Sequence, residues 1–84
     1  MNHFAAPEFW PLYNALPQDV RALADKNYAL LKADPAHPSL HFKSIDGLWS
    51  VRIGLHYRAL ASRRADGFYW FWIGPHAGYD KLMP

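Results

Sequence analysis

The chain has 84 residues, no cysteine, and nine Lys or Arg against seven Asp or Glu, for a net charge of +2. This length fits one folding unit spanning residues 1–84, and the lack of cysteine excludes disulfides and thiolate metal sites and suits a reducing cytosol. So small a charge does not by itself call for a polyanionic partner, and only the placement of the basic residues can be informative.

Met1 to Pro17 holds no basic region followed by an apolar run, so no secretory leader is expected. Phe9, Leu12, Tyr13 and Leu16 have helical spacing and predict a short helix within Pro7 to Leu16, with Pro11 tolerated only in its first turn. Pro17 suits the first position of a second helix, with Asp19 in the first turn facing the positive end of the helix dipole. Val20, Leu23, Ala24, Asn27, Leu30 and Leu31 then form one apolar stripe with a polar gap at Asn27. Pro35 ends this helix near Ala33, and Asp34 to Ser39 reads as a turn-rich connection.

Leu40 to Lys43 is expected as a short strand, followed by a tight turn at Asp46-Gly47. Trp49, Val51 and Ile53 alternate with Ser50 and Arg52, and Tyr57, Ala59 and Ala61 alternate with Arg58, Leu60 and Ser62. A loop of Gly54 and Leu55 alone would set Val51 against Arg58, mixing hydrophobe and charge on one face. With Gly54, Leu55 and His56 in the loop, Ile53 faces Tyr57, Val51 faces Ala59 and Arg52 lies opposite Arg58, so the faces separate. After a turn at Ala65-Asp66-Gly67, Phe68 to Ile73 is apolar in both alternating sets, as a central strand covered on two faces should be. Its apolar stretch, Phe68 to Gly74, falls far short of the ~20 residues a membrane helix needs, so no membrane association is expected. Gly74-Pro75 ends the strand, and His76 to Met83 is a tail with helical potential. The predicted architecture is α+β: one or two N-terminal helices on one face of an antiparallel sheet of about four strands.

Two guanidinium groups directly opposite each other repel, so Arg52 and Arg58 need an anion or some other reason to be paired. With Lys43 on the neighbouring strand they make a candidate phosphate clamp, because each guanidinium forks onto two oxygens and stays charged. The bland alternative is a solvated set of charges bridged to Asp46, Asp66 or Asp80. His76 and Tyr79, three apart, fall on one side of a helical turn and are candidates for proton transfer; the alternatives are a capping histidine and a packed tyrosine. His37 and His41 are four apart with Pro38 between them, which spoils helical ligand spacing, and no metal site is expected. Trp10, Trp49, Trp70 and Trp72 are expected in core packing rather than in base stacking.

The order of these motifs, from Leu16 to Leu82, resembles the RelE/ParE superfamily of type II toxins, in its RelE-like branch. The resemblance is carried by His37-Pro38-Ser39-Leu40-His41-Phe42-Lys43, Trp49-Ser50-Val51-Arg52, Tyr57-Arg58, the aromatic strand and Gly74-x-His76-x-x-Tyr79. It implies a messenger-RNA endoribonuclease acting on the ribosome without metal or cofactor, through attack of the ribose 2′-hydroxyl on the adjacent phosphate. It further implies a cognate antitoxin protein as partner. By position, Arg58 resembles the phosphate-stabilising arginine, Arg52 a strand cation facing the same RNA, His76 a position held by arginine or histidine, and Tyr79 the C-terminal tyrosine; Lys43 is a looser match. The ParE branch, which inhibits DNA gyrase by binding, is the alternative. Members of the superfamily usually open with a strand beside the C-terminal one, a pattern that Asn2 to Ala6 does not display.

Overall fold

In the computed structural model, which describes residues 2–82, the elements run β1 (His3–Ala5), α1 (Phe9–Asn14), α2 (Gln18–Ala33), a 3₁₀ turn (Pro38–Leu40), β2 (Lys43–Ile45), β3 (Leu48–Ile53), β4 (Tyr57–Arg64), β5 (Gly67–Pro75) and α3 (His76–Leu82). The expected tail extended to Met83, which lies outside the described residues. The sheet has five strands in the order β1-β5-β4-β3-β2. The expected antiparallel meander forms β2 to β5, and β1 adds a fifth strand parallel to β5, so the sheet is mixed.

The strand at His3–Ala5 has no alternation to announce it, because long-range contacts make it. Phe68 N donates to Asn2 O and Ala6 N donates to Trp70 O, at 2.9 and 2.8 Å. Gly67, at φ +150, lets Asn2 come so close that a Cβ there would stand 2.4 Å from the Asn2 carbonyl oxygen. Trp70 Nε1 donates to His3 Nδ1 at 3.0 Å, and the His3 ring stacks on Phe68 at 5.5 Å.

Burial lowers the His3 pKa below 6.5. An unfolded histidine takes a proton near that value while the native one resists it, so this stability is complete above about pH 6.5 and is lost as pH falls through the folded pKa. Thermal melts are therefore expected to show a melting temperature that drops between about pH 7 and pH 5, with a shallower slope in His3→Gln. A wild-type melting temperature flat across that range would contradict it.

α2 packs on one face of the sheet through Ala24 and Leu31, with Val20 partly buried beside them. Asn27, the polar gap in its stripe, donates Nδ2 to the Arg52 carbonyl at 3.2 Å. That carbonyl lies past the end of β2, so the side chain supplies a partner which the edge strand does not. The core on this face comprises Val51, Ile53, Ala59, Ala61, Phe68, Trp70 and Ile73, against Leu16, Leu31 and Leu40. Trp10, expected in the core, is half exposed on α1.

The strand expected at Leu40 to Lys43 begins later. His37 Nδ1 accepts from Ser39 N at 3.2 Å, the chain makes a 3₁₀ turn that buries Leu40, and His41 turns left-handed at φ 45 before β2 starts at Lys43. Asp46 and Gly47, at φ 51 and 82, make the tight turn expected there, with both residues in the left-handed region that two-residue hairpins favour. The β3–β4 hairpin has the expected register: Ile53 pairs with Tyr57, Val51 with Ala59 and Arg52 with Arg58.

A bulge interrupts the next pair of strands. Between β4 and β5 the register runs Leu60 to Trp72 and then Ala61 to Trp70, leaving Phe71 as the extra residue. Phe68, Trp70 and Ile73 consequently share the helical face, while Trp72 turns to the opposite one.

Candidate functional site

The face away from α1 and α2 is built from residues level with one another across the sheet. Lys43, Ser50, Leu60 and Trp72 form one row, and Arg52, Arg58 and Gly74 form the next. α3 crosses this face and buries Tyr79, with Gly78 stacked so closely on Trp72 that a Cβ would lie 3.1 Å from its ring. The start of α3 is tied to the hairpin loop by a hydrogen bond from His76 N to His56 O at 2.7 Å. Hairpin, aromatic strand and last helix thus meet at the arginine pair.

Arg52 and Arg58 are both half-buried, and among the described residues neither guanidinium has a carboxylate within salt-bridge distance. Two of the three acids named as alternatives are engaged elsewhere, and Asp46 makes no salt bridge to either arginine. Asp80 pairs with His76 Nδ1 at 3.1 Å, and Asp66 accepts from the Tyr69 hydroxyl at 2.7 Å. Arg58 stands over the Tyr79 ring at 5.0 Å, a cation–π contact, and its Nε is buried without a hydrogen-bond partner among the described residues. Ser50 Oγ, on the same face, is likewise buried and unpartnered.

Of the residues singled out from the sequence, Arg52, Arg58 and Lys43 share this face, with Lys43 exposed on β2. Tyr79 lies beneath Arg58, and the His76 ring is 5.7 Å from that of Tyr79. The structure adds His41, weighed in the sequence only as a metal ligand. Its pKa is lowered from 6.5, most strongly by the Arg52 guanidinium and further by Lys43 and Arg58. His41 precedes β2, at the left-handed end of the Pro38–Leu40 turn and two residues before Lys43, and nothing in the local sequence pattern marks that turn. No group of three or more metal-ligating side chains occurs among the described residues. A cleft of about 410 Å³, lined by Tyr13, Tyr28, Leu31 and Trp70, lies on the opposite, helical face and does not include the arginines.

Chemically, two unneutralised guanidinium groups with a lysine beside them form a site for an anion with several oxygens, and their repulsion is relieved when that anion binds. A phosphodiester gains negative charge as it is attacked, so the same cations favour its transition state over its ground state.

No protein-family model matches the chain, and no curated protein matches it. Solved structures do. The RelB–RelE antitoxin–toxin complex from Methanococcus jannaschii matches with a TM-score of 0.74 at 14% identity, over 96% of this chain and 99% of that one. The isolated E. coli RelE toxin matches with a TM-score of 0.63 at 9% identity, over 96% of this chain and 97% of that one. The chain has the RelE fold, and the resemblance read from its motifs extends to the whole backbone. No described helix is long and apolar enough to cross a membrane.

Proposed function

We propose that this chain, folded as RelE toxins are, is the toxin of a type II toxin–antitoxin pair and a metal-independent endoribonuclease that cuts messenger RNA on translating ribosomes in the cytoplasm. The observation that carries the proposal is the pair Arg52 and Arg58, set opposite each other by the hairpin register with no carboxylate within salt-bridge distance among the described residues. Such an arrangement is unfavourable in the free protein and becomes favourable against a phosphate, which is how strain at a binding site differs from solvated surface charge.

In the reaction, Arg58 and Arg52 hold the scissile phosphate and neutralise the charge that grows on it, and Lys43 takes the adjoining backbone. Tyr79 positions Arg58 through its ring. His76, half-buried at the start of α3 and paired with Asp80, gives a proton to the leaving 5′-oxygen. The 2′-oxygen bonds to phosphorus as the bond to the 5′-oxygen breaks, leaving a 2′,3′-cyclic phosphate and a 5′-hydroxyl. The partner is a cognate antitoxin, in keeping with the M. jannaschii relative having been solved as an antitoxin–toxin complex.

Tightly induced expression with transcript ends mapped by primer extension tests the proposal. The expected result is growth arrest with new, codon-phased ends inside reading frames. Arrest with intact transcripts and cleaved DNA trapped on gyrase would overturn it in favour of a gyrase inhibitor.

A further inference from the structure

We infer that His41 is the general base of this reaction, taking the proton from the attacking ribose 2′-hydroxyl. The assignment rests on the ribonuclease activity proposed above, and it stands first on how the chain presents this residue. His41 is a non-glycine residue in the left-handed region, φ 45, at the end of the Pro38–Leu40 turn. The backbone is held there from both sides: Leu40 is fully buried, and the Phe42 ring packs at 4.9 Å from Trp49 and 5.2 Å from Phe68. Two packed neighbours pin the chain while the His41 side chain between them remains exposed. Such unfavourable backbone persists where its surroundings over-determine it, and it concentrates at functional sites.

The direction of β2 then places the residue. His41 lies two residues before Lys43, at the entry to β2, and because β2 runs antiparallel to β3 the chain reaches Lys43 from the end of the sheet that holds Arg52. The charged groups that act on it come from three strands, Arg52 on β3, Lys43 on β2 and Arg58 on β4, and all are cationic. They favour the neutral imidazole, so at pH 7 His41 has a free nitrogen lone pair beside the groups that bind the phosphate. The other groups have other parts: the arginines keep their protons, Tyr79 is buried beneath Arg58, and His76, with Asp80 on its Nδ1, is the group that gives a proton to the leaving oxygen. When the 2′-oxygen attacks, its proton passes to His41 and the leaving 5′-oxygen takes one from His76; water returns the proton from one imidazole to the other, and no other reactant is needed.

The test is single-turnover cleavage of messenger RNA on programmed ribosomes by the full chain, from about pH 5 to pH 8, comparing wild type, His41→Asn, His41→Ala and Arg58→Ala. Asparagine tolerates the left-handed backbone and has no titrating nitrogen, so His41→Asn removes the base without removing the turn. The expected result is a rate about 10²–10⁴-fold lower at pH 7 and loss of the rise in rate through the histidine titration, with added imidazole restoring part of the rate to His41→Ala. A merely structural role would lower the rate at every pH and leave the rise in place. That outcome overturns the assignment, as does a wild-type rate in His41→Asn. If Arg58→Ala is inactive while His41→Asn cleaves normally, only the base assignment falls. If the wild type cleaves nothing, the ribonuclease reading falls and takes the base with it; if Arg58→Ala cleaves as well as the wild type, cleavage does not occur at the arginine face, and the assignment of His41 falls with that site.

Discussion

Replacing Arg58 with methionine is expected to lower transcript cleavage by about 10²–10³-fold while leaving thermal stability unchanged or raised. In the free protein the guanidinium is a liability. It faces Arg52 across the hairpin, and its Nε is buried without a partner among the described residues, a kind of omission that costs about 1–3 kcal/mol. Against this stands the cation–π contact with Tyr79, of about 0.5–2 kcal/mol. Methionine keeps much of the apolar stem and can lie on the Tyr79 ring, so most of the packing survives while the repulsion and the orphaned donor disappear. The two readouts together are diagnostic: a site residue trades stability for activity, whereas a structural arginine would lose both. A fall in melting temperature alongside unimpaired cleavage would reverse the interpretation. Arg58→Lys separates charge from shape, since it keeps the cation and discards the fork; cleavage intermediate between wild type and methionine is expected.

The largest effect on stability is expected at Trp70. Trp70→Ala should cost about 3–5 kcal/mol, a large part of the roughly 4–12 kcal/mol that a domain of this size has in total. Trp70 is buried on the helical face, its ring stacks against His3 at 6.0 Å, its Nε1 donates to His3 Nδ1, and its carbonyl accepts from Ala6 N. Alanine keeps the backbone bond but removes the ring and the donor that hold β1. At about 4–8 °C per kcal/mol the melting temperature should fall by at least roughly 12 °C, and amide exchange in His3–Ala5 should accelerate more than in β3 or β4. Equal acceleration in all strands would show that β1 does not depend on this residue in particular.

What could be read from the chain and what could not divide along the range of the interactions. The α2 stripe, its end before Pro35, the Asp46-Gly47 turn and the Arg52–Arg58 register were legible because each follows from neighbours a few residues apart: helical spacing, a proline's excluded volume, a turn's backbone angles, the period of a strand. The arginine pair at the candidate site was legible for the same reason, since separating apolar from polar faces admits one loop length. The whole-chain likeness to RelE structures agrees with the fold inferred from the motif order.

The remainder was decided by contacts between residues far apart in the chain. β1 exists because Trp70 and Phe68, more than sixty residues on, supply the hydrogen bonds and ring faces that three unpatterned residues need. Trp72 faces α3 because a bulge opposite Leu60 and Ala61 shifts the strand's phase, and a run apolar in both phases carries no local mark of such a shift. His41 joins the arginines because the packing of Leu40 and Phe42 forces a turn where strand was expected and delays β2 to Lys43. That neither arginine has a carboxylate partner among the described residues also depended on tertiary structure, since only there do Asp66 and Asp80 find Tyr69 and His76 instead. Local periodicity determined which residues point the same way; packing across the sheet determined which of them meet.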